Sequence, residues 1–134
     1  MKIYLVRHGQ TTGDCDDRLT GFGQRQAKAL AKELSGEKID IIFTSPKIRA
    51  RETARILQEE LKTKVEIIND FSLEKLLSSH KKTVMVIAHD EFLKPVYHDL
   101  LKMGKVKLED CSYSVLEADK KGLKLISNKG ITQI

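Results

Sequence analysis

Arg7 and His8 close the apolar run "KIYLV" and are followed by Gly9, Gln10 and Thr11. A second apolar run, residues 39–44, leads into Ser45, Pro46 and Arg49, and a third, residues 83–88, ends at His89 and Asp90. A neutral imidazole is a competent nucleophile near pH 7, and an arginine carries a permanent charge on a fork of donors that fits phosphate oxygens. Phosphoryl transfer asks for little else, because its transition state spreads negative charge over the equatorial oxygens and is stabilised by fixed cations and donors. At an effective dielectric near 20, a unit charge pair at 4 Å interacts by about 4 kcal/mol, whereas distant surface charges are screened over about 8 Å. Two local guanidiniums therefore outweigh the formal net charge of +5.

The elements that must deliver these groups are legible from periodicity. Residues 2–6, 39–44 and 83–88 are nearly continuous apolar runs rich in branched side chains, the pattern of parallel strands covered on both faces. Ala27, Leu30, Ala31 and Leu34 recur at helical spacing ahead of Gly36, which supplies a stop. A second helix is expected to begin at Ser45 as N-cap with Pro46 in the first helical position, burying Ala50, Thr53, Ala54, Leu57 and Leu61. A weak strand at residues 65–68 and a helical patch at 73–79 follow. A further helix carrying Phe92, Val96, Leu100 and Met103 starts near residues 90–92, because Pro95 fits only in a first turn. "YSVLEA" and "LKLIS" around the turn "DKKG" complete a hairpin at the sheet edge.

The expected fold is α/β: a three-layer αβα sandwich with a mostly parallel central sheet, helices on both faces, and one domain over residues 1–134. Ligands in such sheets bind beyond the carboxyl ends of the strands, where Arg7, His8, Arg49 and His89 would converge. Burying that much positive charge without an internal acid is costly, so the site expects an anion to complete it.

Composition narrows the partners. Hydrophobic residues make up 40% of the chain, charged residues 32% and aromatic residues 5%. The lysines are interspersed with acids and the stacking platforms of a nucleic-acid binder are scarce, so no nucleic-acid partner is expected. With no apolar run of membrane-spanning length and no secretory leader pattern, the expectation is a cytoplasmic protein without a membrane partner. Cys15 and Cys111 are read as free thiols; no metal site and no cofactor are expected.

In order along the chain, "LVRHGQT", "LTGFGQRQA", "FTSPKIRARETA" and "VIAHD" resemble the histidine phosphatase superfamily, also known as the phosphoglycerate mutase-like family. The resemblance runs over roughly residues 1–117 and carries its fold with it. It implies that His8 is the nucleophile, forming a covalent phosphohistidine, and that Arg7, Arg49 and His89 clasp the phosphoryl group. Gln10 and Thr11 continue the motif and either reach the phosphate or simply form the turn. Gly9 lets the backbone pass close to the phosphate or serves a tight turn.

Relatives commonly protonate the leaving group from a carboxylic acid between the second helix and the second histidine. Glu74 stands near that position, with Asp70 and Asp90 as competitors. Asp14 occupies a place where the family often has asparagine, and a negative group there either points outward or tempers affinity for dianions. His80 and His98 are read as solvated.

Fewer than twenty residues separate Val65 from the third strand, which leaves little room for a covering segment. Water then reaches the phosphoenzyme, and the expected activity is a metal-independent phosphatase of the short phosphohistidine phosphatase type. Its substrates would be phosphorylated small molecules or phosphohistidine proteins. The alternatives are a phosphate-binding module without turnover and phosphoglycerate mutase-type transfer. The leaving-group surface and the oligomeric state stay open.

Overall fold

A computed structural model describes residues 1–13 and 17–134; Asp14 and Cys15 lie outside the described residues. The apolar runs form β1 (Lys2–Arg7), β2 (Ile41–Thr44) and β4 (Thr83–Ala88), and residues 64–67 form β3 (Lys64–Ile67). The remaining elements are α1 (Gly21–Glu33), α2 (Ile48–Leu61), α3 (Leu73–Ser78), α4 (Asp90–Pro95) and the hairpin β5 (Val106–Asp119) with β6 (Gly122–Gln133). The sheet order is β3-β2-β4-β1-β5-β6, parallel from β3 through β1 and antiparallel across the hairpin.

Alternation along the strands splits the core into two layers. Tyr4, Val6, Ile42, Met85 and Ile87 face Leu30 and Ala31 of α1 and Ala50, Ala54 and Leu57 of α2. Ile3, Leu5, Phe43, Val84 and Val86 face the other way, onto Leu76 of α3 and onto Leu93, Val96 and Tyr97. This is the expected three-layer arrangement. Its central strands read as unbroken apolar runs because both of their faces are covered.

Three expectations about helix ends need correction. Ser45 is not the N-cap of α2. Its amide donates to the Ile87 carbonyl (2.9 Å), which keeps it in the ladder; Lys47 takes the cap position without a side-chain bond, and Pro46 lies ahead of the helix. α1 ends at Glu33 with Leu34 as its cap, two residues before Gly36.

Pro95 lies beyond the first turn of α4, which begins at Asp90. Proline has no N–H to continue the ladder, and the helix widens into a π turn over Val96–Leu100 in which the Leu101 amide reaches the Val96 carbonyl at 3.0 Å. The widened turn shifts the buried stripe. Leu93, Val96 and Tyr97 are enclosed, whereas Leu100 is 44% exposed and Met103 lies outside the helix.

Candidate active site

Strand register puts the expected groups on one edge. Arg7 pairs with Ala88 and Thr44 with Ile87, so β1, β4 and β2 end at one level. The ladder runs one residue further, with the His8 amide donating to Ala88 (3.1 Å). His8, Ser45 and His89 thus open three adjacent loops at the carboxyl end of the sheet.

His8 is buried, and its Nδ1 lies 2.7 Å from the Gly9 carbonyl. A carbonyl only accepts, so Nδ1 carries the hydrogen and the neutral ring keeps its lone pair on Nε2. Burial lowers the His8 pKa below the ordinary histidine value. The Gly9 bond and Asp110 oppose the shift, while the charges of Arg7 and Arg49 reinforce it.

Two further contacts lock the turn after His8. The Gly9 amide donates to Thr53 Oγ1 (3.1 Å), and the same hydroxyl donates to the Arg49 carbonyl (2.8 Å), so one buried threonine joins the loop after His8 to α2. Gly9 also crosses α1 at Gly23. A Cβ on Gly9 would stand 2.7 Å from the Gly23 carbonyl oxygen, and one on Gly23 only 2.1 Å from that of Gln10. Close packing of two backbones, rather than an unusual backbone angle, accounts for glycine at both positions.

Both arginines are anchored by carboxylates. Arg7 donates from Nε to Asp90 Oδ1 and from Nη1 to Asp110 Oδ1, each at 2.7 Å. Arg49 donates from Nη1 to Asp17 Oδ1 at 2.8 Å. Burial works to raise the Asp17 pKa, but hydrogen bonds from Thr11 and Arg49 and the Arg49 charge outweigh it, and the carboxyl is held below its usual range. The expectation of positive charge awaiting an anion is therefore corrected: the chain supplies internal acids. A guanidinium has five N–H donors, so each arginine retains donors for a phosphate beyond these bonds.

His89 is oriented by Ser45, whose Oγ lies 3.1 Å from Nδ1; its Nε2 is 3.8 Å from a Glu91 oxygen. Burial lowers its pKa, opposed by Glu91 and helped by Arg49 and Lys47. Arg7, His8, Thr11, Asp17, Lys47, Arg49, Asp90 and Glu91 line an open cleft of about 490 Å³.

His89 borders the cleft through Glu91 without lining it, and other expected residues fall elsewhere. Gln10 turns its side chain to Thr20, whose hydroxyl donates to Oε1 at 2.9 Å, and it does not line the cleft. Glu74 is exposed on α3 and is not among the lining residues. Asp70 lines a neighbouring groove, and of the three carboxyls weighed as proton donors only Asp90 lines the cleft.

Four participants escaped the sequence reading. Asp17 lies just ahead of the quoted "LTGFGQRQA" and Lys47 lies inside "FTSPKIRARETA"; a search for charged residues in and beside the quoted motifs would have raised both. Glu91 follows Asp90 directly. Asp110 had no such signal. It depends on a break in β5, where pairing with β6 jumps from Leu108↔Ile131 to Tyr113↔Lys129. The freed segment bends to β1, and the Cys111 amide donates to the His8 carbonyl at 3.0 Å. Cys111 sits at φ 56°, a conformation that non-glycine residues seldom adopt and that collects at functional sites. Its burial, with Asp110 adding to it, pushes the thiol up to about 12, so it is inert at neutral pH.

Comparisons with known proteins bear on the family and the fold. The model of the histidine phosphatase superfamily (branch 1) matches residues 3–73. A Hydrogenobacter thermophilus protein bearing a phosphoserine phosphatase name is 33% identical over 114 residues, covering 74% of this chain and 56% of that protein. A Serratia proteamaculans protein named as a probable phosphoglycerate mutase is 37% identical over 84 residues, covering 57% of this chain and 38% of its own. The chain thus spans about half the length, or less, of these curated relatives.

Among solved structures, the protein histidine phosphatase SixA complexed with tungstate superposes with a TM-score of 0.85 at 18% identity, covering 97% of each chain. Phosphoserine phosphatase from Entamoeba histolytica, in complex with 3-phosphoglyceric acid, gives 0.77 at 21% identity over 95% of each. At these identities the two structures speak for the shared fold. With its amino-terminal half matched by the family model and its whole sheet by the fold, this chain belongs to the histidine phosphatase superfamily.

Proposed function

We propose that all 134 residues act as one domain, a metal-independent phosphatase that works through a phosphohistidine on His8. The carrying observation is the bond from His8 Nδ1 to the Gly9 carbonyl, which reserves Nε2 as the nucleophile in a cleft lined by Arg7 and Arg49. Names borne by the relatives support the reading, since they include phosphatases acting on phosphoserine and on 2-carboxy-D-arabinitol 1-phosphate. The substrates are phosphomonoesters or phosphohistidine, and the setting is cytoplasmic.

In the first step the Nε2 lone pair forms a bond to phosphorus as the phosphorus–oxygen bond to the leaving group breaks. The bonding electrons leave on that oxygen, which takes a proton. Arg7 and Arg49 offer their remaining donors to the equatorial oxygens. When Ser45 donates to His89 Nδ1, the hydrogen of that ring sits on Nε2 and adds another donor. Water then attacks the phosphohistidine, releasing phosphate and restoring the imidazole.

Asp90 is committed to Arg7 at 2.7 Å and Lys94 at 3.5 Å. Glu91 stands at the mouth of the cleft with 79% of its side chain exposed, and we assign it the proton transfer to the leaving group. Glu74 would have to travel from α3 to do the same work.

Turnover of p-nitrophenyl phosphate with excess chelator tests the reading. The expected result is sustained release by the wild type, none by His8→Ala, and a phosphorylated His8 peptide in the quenched wild-type enzyme. An unchanged rate in His8→Ala would overturn the mechanism. Phosphate binding without release in the wild type would make the chain a binding module.

A further inference from the structure

Beside the phosphate cleft runs a second groove of about 390 Å³, and Glu91 lines both. Its walls are Phe71, Phe92, Pro95, Val96 and Leu100, and its polar lining is Asn69 with the carboxylates Asp70, Glu91 and Asp99. The groove is continuous with the chemistry. Phe92 packs against the His89 ring with centroids 6.1 Å apart, and Glu91 stands 3.8 Å from His89 Nε2. A phosphate seated between Arg7 and Arg49 with its leaving group toward Glu91 would pass that group into an apolar trough with an acidic rim.

Charge complementarity selects the occupant. Among the described residues the groove is lined by no lysine or arginine, whereas the cleft holds Arg7, Lys47 and Arg49. Two histidines stand by this lining: His98, whose Nδ1 lies 2.7 Å from Asp99 Oδ1, and His89, whose Nε2 lies 3.8 Å from Glu91. Lys75 shares an adjoining hollow with Asp70 but does not line the groove. A leaving group bearing a carboxylate would meet like charges there, and an apolar body ending in an ammonium would meet opposite ones.

We propose that the Phe71–Phe92–Leu100 groove, rimmed by Asp70 and Asp99, selects small phosphomonoesters whose leaving group combines an apolar body with a cationic amine. This inference rests on the phosphatase reading and names its substrate class.

The test compares three aryl phosphates matched at the reacting bond: para-aminoethylphenyl, para-ethylphenyl and para-carboxyethylphenyl phosphate, assayed at about pH 8, where an ordinary imidazole is neutral. The wild type should follow that order in kcat/KM, with the amine about tenfold or more above the carboxylate, and added salt should compress the series. In the double variant Asp70→Asn/Asp99→Asn, at two exposed positions, the amine-to-carboxylate ratio should fall to about threefold or less. Equal kcat/KM for the three, a preference for the carboxylate, or an undiminished ratio in the double variant would each overturn the groove's role, while turnover itself left the phosphatase reading standing. Failure to hydrolyse any of them, p-nitrophenyl phosphate included, would bring down the phosphatase reading and the groove with it.

Discussion

The two arginines of the cleft are held by different parts of the molecule. Arg49 is anchored from nearby: Asp17 lies in the loop before α1, Thr53 sits one helical turn along, and all three fall within the stretch that matches the family model. Arg7 is anchored from afar, by Asp90 after β4 and Asp110 in the broken segment of β5, and both lie outside that stretch. The amino-terminal half therefore carries His8 and both arginines, while the carboxyl-terminal half adds Asp90 and Glu91 to the cleft and fixes the orientation of Arg7. A short chain with little covering structure gains rigidity by letting its edge hairpin reach back into the site.

The sharpest way to break this division is to remove the guanidiniums. Arg7→Ala and Arg49→Ala should each lower kcat by about 10²–10³-fold, the cost of losing a preorganised donor to developing charge. Steady-state kinetics on an aryl phosphate would show it. A tenfold or smaller loss in either would mean that the phosphate sits elsewhere.

Backbone contact at the α1 crossing comes next. Gly23→Ala places a methyl group 2.1 Å from the Gln10 carbonyl, and backbone on both sides must move. Overpacking of this kind costs about 1–3 kcal/mol, which denaturant unfolding measures. Activity should fall with it, because Gln10 is two residues from His8. Unchanged stability would show that the crossing is looser than described.

The anchors themselves should separate the halves. Asp17 is 7% exposed and Asp110 29% exposed at the side chain. Asp17→Asn leaves a guanidinium beside a nearly enclosed amide and should cost about 1–2 kcal/mol of stability along with activity. Asp110→Asn should cost less stability, since water screens the wetter pair, while still lowering kcat several-fold through Arg7. Thermal melts and kinetics on the same preparations would decide it, and equal stability losses would erase the distinction.

The same asymmetry explains what could be read from sequence. Apolar runs, helix faces and the motifs around Arg7, His8, Arg49 and His89 depend on neighbours close in the chain, and period and composition report them directly. Helix starts were less legible because tertiary bonds reset them: Ser45 stays in the sheet ladder instead of capping α2, and the π turn after Pro95 moved the buried stripe. Asp110 was illegible. Its position follows from a break in strand pairing, and nothing in "LEDCSYS" announces that the four residues 109–112 leave the ladder with β6 and that Cys111 meets a strand a hundred residues earlier. Glu74 shows the converse case, since its spacing from Arg49 pointed to the cleft while α3 holds it exposed and away from the cleft lining.

The finest test uses pH, because His8 feels both halves at once. Burial and the charges of Arg7 and Arg49 hold its pKa below the ordinary histidine value of 6.5, while Asp110 pulls upward. In the proposed mechanism the neutral ring is the nucleophile, so kcat/KM should stay level as pH falls through 6.5 and drop only below it. Stability follows the same sign. An unfolded His8 takes up a proton near its ordinary value and the folded one resists, so the folded state loses ground as pH falls from the unfolded value toward the lower folded one. Asp110→Asn removes the upward pull, and the acid limb of kcat/KM should move further down. Glu91→Gln, whose charge acts on His89 instead, should leave the His8 limb in place. An acid limb that moved upward in Asp110→Asn would show that the hairpin's carboxylate acts on His8 only through Arg7, as an anchor with no direct electrostatic reach.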